Sequence, residues 1–179
     1  MSLGLFELVA RLREDWEVHE RDWTRPGFRA LAVHRFGNWR MNIEPKVVRA
    51  PFSMAYRMLE RHCRNNYGIE IPYSVQVGRR VKVEHQGDIV VHGATVIGDD
   101  VVLRQGVTLG MRDVKDHRSA PNIGNHVDIG CGAKILGPIN VGEGASIGAN
   151  AVVLEDVPEG ALAVGVPARI IPKEKRKGR

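Results

Sequence analysis

Small aliphatic residues recur at every sixth position through the middle of this chain, and this recurrence leaves few folds open. The phase-setting residues form three runs: Ile71, Val77, Val83 and Ile89; then Ile97, Leu103 and Leu109; then Ile123, Ile129, Ile135, Val141, Ile147 and Val153. Hexapeptide repeats are typical of a parallel β-helix, in which three such units make one triangular coil of about 18 residues. Because the coils stack, their aliphatic residues are expected to form one continuous apolar column.

The six-residue phase breaks at two places, and each break lengthens one coil. Ile89 and Ile97 are eight apart, so two residues are inserted between them. Leu109 and Ile123 are fourteen apart, so one hexad carries eight extra residues. Insertions in solenoid folds form loops, and such loops often carry the binding surface. We therefore expect a polar, functional loop over residues 110–122.

The segment before the repeats, residues 1–69, has helical spacing instead. A first helix is indicated by Phe6, Val9, Leu12 and Trp16, which are three or four positions apart. A second is expected to begin at Pro26, because proline suits the first turn of a helix. A third is expected to run from about Pro51 to residues 65–68, where Gly68 can end it. The side chains expected on the inner faces of the second and third helices are Phe28, Leu31, Phe36 and Trp39, then Met54, Met58 and Leu59.

These patterns divide the chain into three segments. Residues 1–69 form a helical segment, residues 70–171 form the β-helix, and residues 172–179 form a basic tail. The fold class is therefore mainly β, with an N-terminal α-helical segment.

The charge pattern does not indicate a nucleic-acid partner. The formal net charge is +5 at pH 7, and part of the excess lies in the tail, at Lys173, Lys175, Arg176, Lys177 and Arg179. The repeats carry mixed charge and no stacking aromatic residues, so we interpret the tail as a solvated terminus.

The sequence also gives no sign of a membrane span or a secretory signal. There is no run of about 18 apolar residues, and Glu7, Glu14 and Asp15 interrupt the N-terminal segment. The two cysteines form no CxxC pair and indicate no disulfide framework. We expect a cytoplasmic protein.

Five local motifs accompany the repeats. They are GIEIP at residues 68–72, VEHQGDIVV at 83–91, QGVTLG at 105–110, GCGAKILG at 130–137 and AVGVPAR at 163–169. Together with the repeats, these motifs resemble serine acetyltransferases of the left-handed β-helix acyltransferase superfamily, over about residues 22–171. The resemblance implies that the parallel β-helix is left-handed.

The resemblance also implies an activity and an assembly. Members transfer an acetyl group from acetyl-CoA, as a co-substrate, to a hydroxyl group of a small acceptor, and no metal is implied. They are homotrimers with the active site in the cleft between two neighbouring columns. The helical segment is shorter here than in the family, so the resemblance does not extend to a hexamer built on that segment.

Four site residues follow from the resemblance. The family's catalytic histidine matches His85, and the carboxylate that orients it matches Glu70. Acceptor-binding carboxylates match Glu84 and Asp22. The chemistry agrees, since attack of an alcohol on a thioester needs a base, and the unperturbed pKa of histidine, about 6.5, suits that task at neutral pH.

One departure from the family pattern concerns the acceptor. The adjacent arginine and histidine that hold the acceptor carboxylate in serine acetyltransferases are replaced here by Ser119 and Ala120. Arg118, directly upstream, is the candidate replacement. A sugar hydroxyl is therefore an alternative acceptor.

The cofactor-binding candidates are small residues and cations along the column. Gly110, Gly132, Ala133 and Gly148 would let the pantetheine arm of CoA approach the backbone, although glycine is also required at β-helix corners. Arg169 and Lys173 are candidate partners of the CoA phosphates.

Two further classes of function remain open from the residues alone. A zinc hydratase of the carbonic anhydrase kind needs three histidine ligands, and His85, His92, His117 and His126 supply that residue type. His92 is also the rival to His85 as a general base. A binding protein without catalysis is the other alternative.

Overall fold

The computed structural model describes residues 4–113 and 119–176, and it consists of helices followed by a β-helix. The helices are α1 (Leu5–Val18), α2 (Pro26–Trp39) and α3 (Lys46–His62). Short helical turns follow α2 at Arg40–Asn42, follow α3 at Cys63–Tyr67, and lie near the C-terminus at Lys173–Arg176. Within the described ranges, no helix is long and apolar enough to cross a bilayer.

The helix boundaries agree with the sequence for α1 and α2, and only in part for α3. α2 begins at Pro26, as predicted. The predicted end of the third helical segment is also confirmed, because Gly68 has a φ of 62° and ends the turn that follows α3. The predicted start at Pro51 was wrong: α3 begins at Lys46, after Pro45 in the N-cap position. Pro51 is tolerated in the early part of the helix, where its ring removes a single backbone hydrogen bond.

The predicted inner face of α3 was wrong. Met54 and Met58 are 67% and 66% exposed, and the buried residue of this helix is Tyr56. The prediction for α2 holds at Leu31, which is fully buried, whereas Phe36 and Trp39 are half-buried and contact each other. Phe6 of α1 is 94% exposed, so helical spacing located this helix without locating its buried face.

The strands are short and follow one another around three faces. In chain order they are β1 (Ile69–Glu70), β2 (Gln76–Val77), β3 (Lys82–Val83), β4 (Ile89–Val91), β5 (Val96–Ile97), β6 (Val102–Leu103), β7 (Thr108–Gly110), β8 (Asn122–Ile123), β9 (Asp128–Ile129), β10 (Lys134–Leu136), β11 (Asn140–Val141), β12 (Ser146–Ile147), β13 (Val152–Val153), β14 (Leu162–Val164) and β15 (Arg169–Ile171).

From β1 to β13, every third strand joins the same sheet. The orders are β1-β4-β7-β10-β13 in a five-stranded sheet, β11-β8-β5-β2 in a four-stranded sheet and β15-β14-β12-β9-β6-β3 in a six-stranded sheet. Pairing is parallel except between β14 and β15, where the chain turns back. The predicted mainly β fold, a parallel β-helix of hexapeptide repeats with an N-terminal helical segment, is confirmed.

The strand register shows which coils are longer than three hexads. Val90 pairs with Thr108, and Lys134 pairs with Val152, so each of these coils is three hexads long. Thr108 pairs with Lys134, and this coil is longer by the eight positions of the predicted insertion. Ile69 pairs with Ile89, so the first coil is longer by two positions.

The two-residue insertion therefore lies at a different corner from the one that the sequence phase predicted. Val83 pairs with Leu103, twenty residues later, whereas Val91 pairs with Leu109, eighteen residues later. The two extra residues thus lie between β3 and β4, and the prediction that placed them after Ile89 was wrong. The eight extra residues lie between β7 and β8, as predicted.

The core is the predicted aliphatic column, continued by one helix. Leu103, Leu109, Ile129 and Ile135 are completely buried in it. Leu31 of α2 belongs to the same apolar cluster. Burial of side chains on this scale is the main force that stabilises the fold.

The helices are attached to the column by close backbone contact and a buried ion pair. A Cβ placed at Gly27 would lie 2.1 Å from the carbonyl oxygen of Val83, so the start of α2 touches β3 directly. Arg35 of α2 binds Asp15 of α1, and both side chains are buried. The Arg35 guanidinium also donates to the carbonyl oxygen of Val77, at 2.7 Å.

Candidate active site

A cleft of about 600 Å³ opens between the start of α2 and the column. Its lining comes from the segment that leads into α2, at Asp22, Thr24, Arg25, Pro26 and Gly27, and from the column, at Glu84, His85, Gln86 and Gln105. Asp22 was predicted as a site residue from the helical segment, and Glu84 and His85 were predicted from one motif of the repeats. The structure brings these three together.

The column residues of the cleft lie on one corner, where the chain passes from the six-stranded to the five-stranded sheet. We call this corner, residues 84–88, 104–107, 130–133 and 148–151, the His85 edge. Successive coils are joined there by backbone hydrogen bonds, from Gly106 to Gly87, from Gly132 to Gln105 and from Asn150 to Cys131, each 2.8 Å long. The edge is therefore a continuous, rigid strip that runs along the column from His85.

β3, which carries Glu84 and His85 at its end, is fixed from the helical side. His19 is fully buried, and its Nε2 accepts a hydrogen bond from the Val83 amide at 3.2 Å. Its Nδ1 lies 2.6 Å from the carbonyl oxygen of Asp15 and must carry the proton of the neutral ring. Burial lowers the pKa of His19, which keeps this arrangement neutral at pH 7.

Asp22 is held by its own turn. Its Oδ1 accepts hydrogen bonds from the amide of Thr24 at 2.8 Å and from the Thr24 hydroxyl at 2.6 Å. These hydrogen bonds lower the pKa of the Asp22 carboxyl group. The one from the Thr24 hydroxyl contributes most, and the one from the Thr24 amide comes second. The group is thus ionised at neutral pH, with one oxygen fixed by the chain.

Glu84 takes part in an ion network at the mouth of the cleft. Its carboxylate lies 2.8 Å from Nε of Arg104 and 3.5 Å from Nζ of Lys82. Arg104 also contacts Asp128 in the next coil. Glu84 therefore has a structural role in addition to its predicted contact with the acceptor.

His85 is exposed in the cleft, and Glu70 lies nearby without a hydrogen bond to it. The turn that contains His85 lies over the start of β1, since the Gly87 amide donates to the carbonyl oxygen of Tyr67 and the Ile89 amide donates to that of Gly68. Glu70 is in β1, half-buried. Among residues 4–113 and 119–176, no hydrogen bond joins the two side chains, so the orienting role of Glu70 stays a prediction.

Two of the other candidate histidines, His92 and His126, lie at different corners from His85. His92 follows β4 and lies at the corner that also carries the eight-residue insertion, where its Nδ1 accepts a hydrogen bond from the Ala94 amide at 3.3 Å. His126 lies between β8 and β9, at the third corner. His117 falls outside the described residues. Within the residues that are described, no group of three potential ligands is placed to hold a metal ion.

The predicted cofactor-binding residues are distributed over more than one part of the column. Gly132 and Gly148 lie on the His85 edge, whereas Gly110 ends β7 on the far side of the five-stranded sheet. The side chain of Ala133 is fully buried in the column, and its carbonyl oxygen accepts a hydrogen bond from the Thr108 amide. Only the remaining backbone surface at this position can face a ligand.

Arg169 and Lys173 are at different corners. Arg169 pairs with Val164, at the end of β14 that leads to the His85 edge. Lys173 packs against Gly160, which precedes β14 at another corner. The structure therefore favours Arg169 over Lys173 for a ligand that lies along the His85 edge.

The positions that replace the family's carboxylate clamp are described only in part. Ser119 is 6% exposed, and Ala120 is half-buried two residues before β8. Arg118, the predicted replacement, lies outside the described residues. Neither Ser119 nor Ala120 carries a positive charge, so neither replaces the charge of the family's arginine.

Six lining residues were not assigned to the site from the sequence, and four of them have polar side chains: Thr24, Arg25, Gln86 and Gln105. Gln86 and Gln105 lie within two of the five motifs but carry no charge that singles them out. Thr24 could have been found, because Asp followed two residues later by Thr favours a side-chain turn. Arg25 had no periodic signal, and only the fold shows that it faces the cleft.

The sequence is similar to curated serine acetyltransferases. That of Helicobacter pylori (strain J99) is 38% identical over 163 residues, which cover 91% of this chain and 90% of the relative. The chain belongs to the serine acetyltransferase family. No family model matches the sequence. The chain spans 57% and 61% of the length of two longer bacterial serine acetyltransferases, from Synechococcus elongatus and Mycobacterium tuberculosis, each 36% identical to it over 82% of this chain.

Solved structures of this family share the fold. The serine acetyltransferase of Brucella abortus strain S19 in complex with coenzyme A aligns with a TM-score of 0.79 at 30% identity, covering 93% of this chain and 68% of that one. The soybean serine acetyltransferase complexed with serine aligns with a TM-score of 0.75 at 33% identity, covering 92% and 69%. Because these alignments cover 93% and 92% of this chain, the structural similarity includes the helical segment as well as the repeats.

Proposed function

We propose that this protein is an acetyl-CoA-dependent O-acetyltransferase that transfers the acetyl group to the hydroxyl of L-serine, a step of cysteine biosynthesis. The observation that carries the proposal is the cleft, which joins the exposed His85 to the carboxylates of Asp22 and Glu84. Membership of the serine acetyltransferase family supports it, as do the relatives solved with coenzyme A and with serine.

In the proposed reaction, His85 is the general base. It accepts the proton of the serine hydroxyl while the serine oxygen forms a bond with the thioester carbonyl carbon. The imidazolium then returns the proton to the sulfur as the carbon–sulfur bond breaks, which releases CoA as a thiol. Glu70 would stabilise the imidazolium from its second nitrogen, and Asp22 and Glu84 would bind the ammonium group of serine.

We place acetyl-CoA along the His85 edge. His85 follows β3 and Arg169 begins β15, at the two ends of the six-stranded sheet. These strands are separated by five strand spacings, on the order of 24 Å at about 4.8 Å each. That length suits an elongated ligand, with the thioester beside His85 and the phosphates towards Arg169. Gly132 and Gly148 lie between these ends and are the favoured contacts for the pantetheine arm.

We also propose a cytoplasmic homotrimer. CoA thioesters are cytoplasmic metabolites, and an open cleft at a column edge suits a site completed by a neighbouring column. Light scattering of the purified protein is expected to give three chain masses, and six would contradict the trimer.

The test of the proposed function is thiol release from acetyl-CoA with L-serine as acceptor. His85→Asn is expected to lower the rate by about 10²–10⁴-fold, as positioned base catalysis typically contributes. The matched control is His126→Asn, because His126 is an exposed histidine at another corner. Its φ of 55° is tolerated by asparagine. Equal rates for the two variants would remove His85 from the mechanism.

A sugar hydroxyl remains the second candidate acceptor, because Ser119 and Ala120 carry no positive charge. In the same assay, thiol release with hexose or amino-sugar acceptors and none with L-serine would favour O-acetylation of a saccharide.

A further inference from the structure

The cleft contains a cation that the proposed function has not used. Among the described residues that line it, Arg25 is the one with a permanent positive charge. Lys82 and Arg104 are nearby, but both contact Glu84, and Arg104 also contacts Asp128. Arg25 also contacts Glu20 and Asp22. Among the described residues, however, it is the cation that lines the cleft, and so it is the partner for a negatively charged group of a ligand there.

The backbone of Arg25 is fixed, while its side chain is held weakly. Arg25 is the N-cap residue of α2, its amide donates to the carbonyl oxygen of Asp22, and its own carbonyl accepts from the Arg29 amide. Its guanidinium contacts Glu20, a side chain that is 58% exposed. Exposed ion pairs contribute little to stability, so a ligand carboxylate can replace Glu20 without great cost.

The arrangement of charge in the cleft is complementary to an amino acid. Nε of Arg25 lies 4.0 Å from Oδ2 of Asp22, the oxygen that Thr24 leaves free. A carboxylate and an ammonium group on one α-carbon present opposite charges at a similar separation. The first turn of α2, which has no side-chain cap, adds a favourable potential for an anion beside Gly27.

We propose that Arg25 binds the carboxylate of the acceptor amino acid and thereby selects amino acids over uncharged alcohols. This inference rests on the proposed function and names the group that replaces the lost Arg-His pair. Arginine suits the role because its planar guanidinium can bind a carboxylate through two parallel hydrogen bonds.

The test combines a variant with a changed substrate. Arg25→Gln is expected to raise KM for L-serine by about 10–100-fold, the usual effect of losing a charge-assisted hydrogen bond, with a much smaller change in kcat. For L-serine amide, which lacks the carboxylate charge, the same variant is expected to change KM less than threefold. Arg25→Lys is expected to restore part of the affinity for L-serine.

The control is Arg13→Gln, which removes an exposed arginine of α1 paired with Glu17, away from the cleft. It is expected to leave both substrates unaffected. An equal rise in KM for L-serine and its amide in Arg25→Gln, or no rise for either, would overturn the inference.

Calorimetric titration of L-serine separates this inference from the proposed function. If the wild-type protein binds L-serine, and Arg25→Gln does not, the role of Arg25 stands even where no thiol is released. If acetyl transfer to L-serine proceeds normally in Arg25→Gln, the proposed function stands and the role of Arg25 is wrong. Absence of L-serine binding to the wild type would overturn both.

Discussion

Single residues at the junction of helix and column decide the shape of the cleft. Gly27 lets α2 begin directly against Val83, and His19 accepts the amide hydrogen of the same residue. Glu84 and His85 follow Val83 immediately. The positions of the proposed base His85 and of the acceptor-binding Glu84 therefore depend on two contacts to Val83, one from Gly27 and one from His19.

Gly27→Ala tests this dependence. The added methyl group would lie 2.1 Å from the Val83 carbonyl oxygen, so α2 must move away from β3. We expect a loss of about 1–3 kcal/mol in the free energy of unfolding, as for other overpacked sites. Because a misplacement of about 1 Å can cost about 10²-fold in rate, kcat/KM should fall by about 10–100-fold.

The control for Gly27→Ala is Gly4→Ala, since a Cβ at Gly4 would meet nothing within 4 Å. Urea unfolding and thiol release are measured for both variants. Wild-type values for Gly27→Ala would show that α2 tolerates a different distance from the column.

Site residues within sequence motifs were easier to predict than site residues outside them. His85 and Glu84 could be assigned because they stand in a family motif, whereas Asp22 was matched through the resemblance alone, outside the five motifs. Arg25 lies three positions after Asp22, in a stretch without repeat or motif. Its position in the cleft depends on the path of the chain into α2, which one-dimensional spacing does not encode.

Among elements, the buried pair of Arg35 and Asp15 joins both α1 and α2 to the first coil. Nε of Arg35 lies 3.0 Å from Oδ2 of Asp15, and the same guanidinium donates to the carbonyl oxygens of Val77 and Gly78. A buried ion pair of this kind contributes little net stability when intact, but loss of one partner leaves a desolvated charge.

Arg35→Met is therefore expected to cost about 3–5 kcal/mol in the free energy of unfolding. Arg13→Met, which removes an exposed partner of Glu17, should cost less than about 1 kcal/mol. Chemical denaturation of both variants measures the difference. Similar losses would mean that Asp15 finds another partner or becomes neutral.

Strand positions were easier to predict than helix faces for a physical reason. Each hexad of the column places its aliphatic residue at the same inward position, so one period fixes the whole core. The helices lie on that column at angles that no period records, and the apolar side chains of α3 largely face outward. The two-residue insertion was misplaced because Ile89 and Val91 are both aliphatic and buried, and either could continue the phase.

At the scale of the whole molecule, the buried histidines His19 and His34 must stay neutral in the folded protein. His34 is 1% exposed, and burial lowers its pKa to about 3. Its Nδ1 lies 3.0 Å from the carbonyl oxygen of Pro72, which ties α2 to the corner after β1. Burial also lowers the pKa of His19.

Stability should consequently decrease in mild acid. The unfolded chain binds a proton at His34 below about pH 6.5, whereas the folded protein does not until about pH 3. The contribution of His34 is fully present above pH 6.5 and is lost as the pH falls. Linkage gives a loss of about 2 kcal/mol between pH 7 and pH 5 from this residue.

Urea unfolding at the two pH values measures this loss in the wild type, in His34→Asn and in the exposed-site control His126→Asn. His34→Asn lacks this histidine, so its free energy of unfolding should decrease less between pH 7 and pH 5 than that of the wild type, by about 2 kcal/mol. His126→Asn keeps His34 and is therefore expected to retain the part of the loss that comes from His34. The same slope in all three proteins would contradict the assignment.

The two insertions lie at different corners, and each lengthens one coil without displacing the next. Two extra residues lie at the corner that contains His85, and eight lie between β7 and β8. After each insertion the following coil returns to eighteen residues. Descendants of such a gene can therefore gain or lose codons at a corner without shifting an inward residue of the next coil, and one of these corners carries the proposed base.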